Sequence, residues 1–375
     1  MPNSLYLVTN PNRRIVPASD LLVMAGRKEQ YRWELLDLSG GLLGSLDGVT
    51  GGEFEYSSDT TLRASGSLTY ERSNDVDWLH VLVRATYRAT FPEGSVLEWP
   101  LGVFIPASPS ASYGDGQSSR DVELQSLLQI LDEDAVDQTY ALAAGAAVIP
   151  AVRALITGAG VAGKVPLIAG TDSDETLRSA LVWEAGTSRL RIINDLLAAI
   201  NYFSLWVDGQ GTYRLDPYVP PAQRGSAWDF LDDELGIASP DFTHTRDLFA
   251  VPNKVVGIAQ GSGDAPALVS TATNVDEASP FSFPSRGRWI TRVETNIEAT
   301  SQAVLDGIVA RRLSELSQVS SSVEVSHWPV LLTPNDVTTF RREPAGINLR
   351  GVVQRTSIDC TPGSLARTTI REVTT

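Results

Sequence analysis

The feature that most restricts what this chain can fold into is an alternation between Leu79 and Phe91. The odd positions are Leu79, Val81, Val83, Ala85, Tyr87, Ala89 and Phe91, while the even ones are His80, Arg84, Thr86, Arg88 and Thr90, with Leu82 the exception. A period of two belongs to a pleated strand, whose side chains point to opposite faces in turn. The stretch therefore predicts a long strand with one buried face and one that is wet or meets a partner. Around it, Arg32 to Leu38, Gly52 to Tyr56, Thr61 to Tyr70 and Val96 to Pro106 also read as strands. Ser39-Gly40-Gly41, Asp47-Gly48 and Pro92-Glu93-Gly94 punctuate them as turns. Short strands at such intervals predict a small barrel or sandwich over about 30 to 110.

The period then changes. Asp121 stands where a helix N-cap would, and Leu124, Leu127, Leu128 and Leu131 follow at helical spacing. Tyr140 to Gly160 is long and apolar, but Pro150 and Arg153 interrupt it, so it predicts a buried helix pair and no membrane span. Asp172-Ser173-Asp174-Glu175 has the pattern of a helix start, with Asp172 capping and Glu175 reaching back. Another helix is expected from about Thr187, carrying Leu190, Ile193, Leu197 and Ile200. A hairpin follows from Tyr202 to Leu215, turning at Asp208-Gly209-Gln210-Gly211. In the last third, Lys254 to Ala259, Trp289 to Glu294, Ser321 to Trp328, Leu349 to Asp359 and Arg367 to Val373 read as strands. Thr300 to Gln318 reads as a helix with Leu305, Val309, Leu313 and Leu316 on one face.

A length of 375 residues exceeds what one core usually serves, so two or three domains are expected. The formal charge is -15, and it is concentrated: residues 121 to 239 hold 7 Lys+Arg against 17 Asp+Glu. An acidic chain lacks the basic face that sequence-specific nucleic-acid binding needs. Cys360 is the one thiol, which excludes an intrachain disulfide, and no N-glycosylation sequon or apolar leader is evident. The expected setting is a reducing cytoplasm.

No catalytic, cofactor or metal site is legible. Gly158 to Val165 satisfies G-x-G-x-x-G, but a P-loop needs Ser or Thr after Lys164, where Val165 stands, and Pro166 follows. A helix end and loop is the expected reading. His80, His244 and His327 are too scattered for a metal set. No G-x-S-x-G elbow accompanies the serines. The clusters Asp132-Glu133-Asp134 with Asp137, and Asp229 with Asp232-Asp233-Glu234, lack the spacing of a Ca²⁺ loop and read as solvated faces. Tyr202, Trp206 and Tyr213 on the hairpin read as core cover; their rival use is a sugar-stacking platform. The chain is expected not to be an enzyme.

Three stretches give the whole a likeness. One runs from Arg191-Ile192-Ile193-Asn194-Asp195 through Trp206-Val207-Asp208-Gly209-Gln210-Gly211 to Tyr213-Arg214-Leu215-Asp216-Pro217. Another is Arg246-Asp247-Leu248-Phe249-Ala250-Val251-Pro252-Asn253-Lys254-Val255-Val256. The third is the closing order: a helix ending Arg311-Arg312-Leu313, a strand, a turn segment from Pro329 to Asp336, and strands through Thr356 and Thr369. In order and texture the chain resembles the tail-hub proteins of long-tailed bacteriophages, also called baseplate-hub or minor tail proteins. The resemblance covers about 30 to 375. It implies a mainly β fold with an α+β insertion: two tail-tube-like β-barrel domains flanking a mixed α/β middle domain. The implied divisions are 1–29 as an N-terminal extension, 30–115 as the first barrel, 116–239 as the insertion, and 240–375 as the second barrel with one long helix.

It further implies a structural tail-tip hub, assembled in the host cytoplasm and carried in the virion. The expected state is a homotrimer of pseudo-six-fold symmetry. Its expected partners are the tail tube or a distal tail protein, the tape-measure C-terminus, and a central fibre or other tip proteins. Some hubs carry a further peptidase, lysozyme or fibre domain; here the sequence stops at Thr375, so cell-wall hydrolysis is expected of another polypeptide. The rival is a carbohydrate-binding or cell-wall-degrading tail component.

Overall fold

The computed structural model describes residues 7–9, 18–24, 26–71, 76–114, 117–159, 167–177, 180–233, 236–247, 251–259, 268–297, 302–316 and 320–373. β1 (Leu7–Thr9) and α1 (Ala18–Leu22) come first. A run of strands follows: β2 (Lys28–Asp37), β3 (Leu42–Ser45), β4 (Val49–Ser57), β5 (Ala64–Tyr70), β6 (Val81–Thr90), β7 (Val96–Gly114) and β8 (Gln117–Ser126). The mixed middle holds α2 (Leu128–Glu133), β9 (Tyr140–Leu142), α3 (Val148–Gly158), β10 (Ile168–Gly170), β11 (Leu181–Trp183), α4 (Arg189–Ala199), β12 (Trp206–Val207) and β13 (Tyr213–Leu215). Next come β14 (Trp228–Phe230), β15 (Ala238–Asp247), β16 (Lys254–Ala259), β17 (Val269–Thr273), α5 (Phe283–Arg286), β18 (Thr291–Ile297) and α6 (Gln302–Leu316). The chain closes with β19 (Ser320–His327), β20 (Val337–Arg342), β21 (Ile347–Asp359) and β22 (Ala366–Glu372). The fold is mainly β.

Two compact units form, Met1–Phe242 with Val325–Val373 and, separately, Thr243–Glu324. In the first, the main path of a 14-stranded sheet runs in the order β15-β19-β22-β21-β4-β5-β8-β7-β6-β2-β3, with β1 paired to β7, β20 paired to β21, and β14 paired to β20 off that path. That path is open at both ends, and no closed barrel appears among the described residues. Strands from the two ends of the chain meet in it: β4 pairs antiparallel with β21, Phe54 opposite Ile358 and Tyr56 opposite Thr356.

The alternation in β6 is realised as expected. Val81, Val83, Ala85, Tyr87 and Ala89 are buried, and so is Leu82. On the other face, Arg84 lies opposite Glu34 in register and meets it at 2.7 Å, and Arg88 lies opposite Glu98 at the same distance. Both pairs are part-buried, with each carboxylate more enclosed than its guanidinium partner. Leu79 departs from the pattern. It is 84% exposed in a turn that the Asp77 side chain caps by accepting from the Leu79 N–H, so the strand begins only at Val81. Under the sheet, Phe54 stacks between Trp33 at 5.5 Å and Phe104 at 4.8 Å, and Phe54 itself is fully buried.

Three expectations for the middle need correcting. Asp121 does not cap a helix. It lies in β8, between β5 and β7, and accepts a hydrogen bond from the Thr69 hydroxyl at 2.8 Å. Val122 and Leu124 point inward from that strand, and the helix starts only after Ser126, whose Oγ accepts from the Leu128 N–H. The Tyr140–Gly160 stretch holds one helix and not a pair, because β9 pairs with β11 before a turn at Gly145 leads into α3. Pro150 is tolerated there as the third residue of α3, where an N–H has no partner within the helix. No helix starts at Asp172. Residues 171–175 have no regular structure, and Asp172 pairs with Arg153 at 2.8 Å.

α4 agrees with the sequence: Ser188 caps it, and Leu190, Ile192, Ile193, Leu196 and Leu197 are fully buried beside Val148, Val152 and Ile156 of α3. Among the described residues no helix is long and apolar enough to cross a membrane. In the second unit, β16 is flanked by β17 and β18, and Val255, Ala259, Leu305 and Val309 form the core beneath α6. Gly257 permits that contact, since a Cβ there would stand 2.3 Å from Val309 Cγ2.

Replacing Phe54 by Ala should lower the unfolding free energy by about 3–5 kcal/mol, because it empties the centre of the ring stack. Urea unfolding followed by tryptophan fluorescence measures this, and a loss below about 1 kcal/mol would contradict the packing described.

Candidate functional site

The sequence-predicted groups scatter in space. His80 is exposed and bonds Asp77, His244 bonds the Ser321 hydroxyl, and His327 lies buried in the first unit. No cluster of His, Cys, Asp or Glu able to hold a metal occurs among the described residues. Several acidic groups are tied into the scaffold: Asp134 pairs with Arg189 at 2.7 Å and Asp232 with Arg342 at 3.7 Å. Glu234 lies outside the described residues. So does the glycine motif from Gly160 onward; Gly158 ends α3. The hairpin aromatics are held by polar tethers. Tyr213 donates its hydroxyl to Leu127 O at 2.9 Å, and Trp206 donates Nε1–H to Asp216 at 3.0 Å.

What the fold does create is a cavity of about 580 Å³ in the first unit. Its walls come from β7, the β12–β13 hairpin, the segment 330–336 and Arg224. The hairpin tip is fixed from both sides. Asp208 Oδ1 accepts from the Gln210 and Thr212 N–H groups at 3.0 and 3.1 Å. Gly209 lies so close to β7 that a Cβ would stand 2.4 Å from Pro100 O. Opposite, Asp336 accepts from the Thr333 N–H and hydroxyl at 2.8 and 2.9 Å, while burial raises its carboxyl above the usual range.

Three guanidinium groups line this space. Arg214 lies 5.9 Å over the Trp206 ring, with Nη1 4.0 Å from Asp208 and Nη2 3.4 Å from Asp216. Arg224 lies 5.5 Å over Phe203 and donates Nη1–H to Asn335 O. Arg63 donates to Ser58 O at 2.7 Å. Burial lowers the pKa of Arg63 and of Arg224. Arg63 and Arg224 were not singled out in the sequence, and Arg214 was named only as one residue of the hairpin stretch.

No family model matches the chain, and no curated protein matches its sequence. Solved structures do share its fold. The tail protein from Neisseria meningitidis MC58 superposes with a TM-score of 0.62 at 12% identity, over 92% of this chain and 97% of that one. The 43 kDa tail protein of prophage MuSo2 from Shewanella oneidensis gives the same TM-score and identity, over 91% and 98%. A chain of the Francisella PdpA-VgrG complex gives 0.57 at 8% identity, over 93% of this chain and 58% of that one. This chain shares the fold of these two tail proteins. Coverage above nine-tenths of both tail proteins means that the likeness takes in the middle segment as well as the strand-rich ends.

Two buried groups give tests of the first unit. His327 is fully buried; Nδ1–H donates to Trp328 O and Nε2 accepts from the Thr368 hydroxyl, each at 2.8 Å. Burial pushes its pKa down to about 4. The unfolded chain therefore takes the proton first, so this stabilisation is complete above about pH 6.5 and is lost as pH falls toward 4. Between pH 7 and 4.5 the loss should amount to about 2 kcal/mol, read as the extra acid sensitivity of wild type over His327→Gln in urea titrations at those two pH values. Cys360 is buried and its thiol pushed well up, chiefly by burial. An aromatic disulfide reagent at pH 8 should label it only after unfolding; rapid labelling of native protein would contradict its burial.

Proposed function

We propose that this chain is a structural component of a phage tail, the hub at its tip. The observation that carries the reading is the β4–β21 ladder, which sets strands from the first and last thirds of the chain side by side in one sheet. β2 to β8 would make one tube-like module and β19 to β22 the other. Three copies would then present six modules to a six-fold tube, closing as a C₃ ring. The tail-protein fold shared with the Neisseria and Shewanella proteins supports a tail role. The fold likeness to a chain of the PdpA-VgrG complex supports neighbours at a tip. The partners would be a tube or distal tail ring, the tape-measure C-terminus, and a central fibre or other tip proteins.

In this reading the chain catalyses nothing. Several of its acidic groups are paired with Arg, and its hairpin aromatics are tethered.

Native mass spectrometry of the purified protein, alone and with its tube partner, should show a trimer. A true hexamer, or a monomer that forms no ring in the assembled tail, would sink the two-module reading. Incubation with peptidoglycan should release no fragments; release that vanished on changing one carboxylate would establish a hydrolase instead.

A further inference from the structure

We propose that the leucine-tipped end of the β2–β6 ladder docks on a partner protein, the tube-side ring of the tail, whose apolar sockets carry Lys or Arg at their rim. The proposal rests on the tail reading and names the surface that would meet one of its partners.

Four leucines stand out from this end of the sheet: Leu79 at 84% exposure, Leu42 at 60%, Leu43 at 59% and Leu38 at 40%. Seven leucines are exposed among the described residues, so more than half of them gather in two loops. A single exposed leucine needs no explanation, whereas a cluster marks an interaction surface. Register places the loops together. The β2–β6 ladder ends with Asp37 opposite Val81, and β3 joins the far side of β2 with Leu42 opposite Leu36. The loop carrying Leu38 to Leu43 and the turn carrying Leu79 therefore leave the sheet side by side.

Neither loop is slack. Asp37 Oδ1 accepts from the Ser39 and Gly41 N–H groups at 2.7 and 2.9 Å, and the Asp37 N–H donates to Gly41 O at 2.8 Å. Gly41 is required there, since a Cβ would stand 2.6 Å from Asp37 Oδ2. In the other loop Asp77 accepts from the Leu79 N–H, and its second oxygen lies 2.8 Å from His80 Nδ1. The Trp78 ring meets Tyr70 edge-on and anchors that turn. Leucines held outward on fixed turns lose little freedom when a partner covers them.

Charge selects the occupant. Residues 37–45 and 76–82 contain Asp37 and Asp77 and no Lys or Arg. A second copy offering the same end, or an anionic membrane, would set carboxylates against like charge. A protein surface whose apolar pockets are bordered by cations is complementary in both respects. The assembly reading sets the β2 to β8 module against the tube, and this end belongs to that module.

Biolayer interferometry of the full chain on immobilised tail tubes purified from the same phage tests this, with phosphatidylcholine and phosphatidylglycerol vesicles as further probes. Leu43→Ser and Leu79→Ser should each weaken tube binding about tenfold. Leu365→Ser, which changes an exposed leucine in the turn between β21 and β22, should stay within about twofold of wild type. Asp77→Asn keeps an acceptor for the Leu79 N–H, so it should weaken binding about threefold and flatten its salt dependence. Wild type that ignores tubes, leucine variants that bind like wild type, or an equal loss in Leu365→Ser would overturn the proposal. So would tighter binding to vesicles than to tubes, or self-association of the free chain that the leucine variants abolish. If one leucine variant fails to fold, Leu42→Ser replaces it, with the same loss expected. The trimer mass is read separately. A trimer whose leucine variants bind tubes normally overturns this surface and leaves the assembly reading standing; a true hexamer with leucine-dependent tube binding does the reverse.

Discussion

The structure of the first unit depends on a short ladder of backbone hydrogen bonds between β4 and β21. It runs from Ser57 opposite Arg355 to Glu53 opposite Asp359 and joins segments about 300 residues apart. Closing a flexible loop of that length costs about 5 kcal/mol in chain entropy. Five residue pairs would be a poor return if the intervening chain were loose. It is not: α2, α3 and α4 bury their own leucines and isoleucines in a local core, which shortens the effective loop. Phe54 and Ile358, paired across the ladder, are then buried at 0% and 4% exposure, and that burial helps offset the closure.

A consequence follows for the sheet. With β4 and β21 joined in its interior, the main path of the sheet ends at β3 and β15, while β1 and β14 flank it as three-residue strands. β3 is four residues long and shows Leu42 and Leu43 at 60% and 59% exposure, while β15 carries Pro240, which cannot donate to a neighbour. Short edges and prolines are how sheets limit uncontrolled pairing. The long strands β6 and β7 sit inside the path, and their polar face is occupied by the Arg84–Glu34 and Arg88–Glu98 pairs. A polar face on a long strand is thus satisfied within the chain itself.

How much of this was legible depends on how local the cause was. β6 could be read because its alternation is a property of consecutive residues. α4 could be read because the spacing of Leu190, Ile193 and Leu197 lies within it. The error at Asp121 arose where a strand passes straight into a helix. Leu124 faces inward from the strand, and Leu127, Leu128 and Leu131 do so around a helical turn, so the combined spacing imitates one longer helix. Leu79 misled for another reason. A turn capped by Asp77 places an apolar side chain in solvent, and composition carries no record of that.

The cavity lay beyond sequence reasoning because no single segment contains it. Its guanidinium groups come from positions 63, 214 and 224, and the carbonyl that receives Arg224 comes from Asn335. Each wall is nevertheless fixed by short-range chemistry that was present in the sequence: Asp208 ties the hairpin tip to its own amides, and Asp336 ties the opposite segment through Thr333. Both ties are made within a few residues of one another, so each wall is set locally even though the walls come from distant parts of the chain.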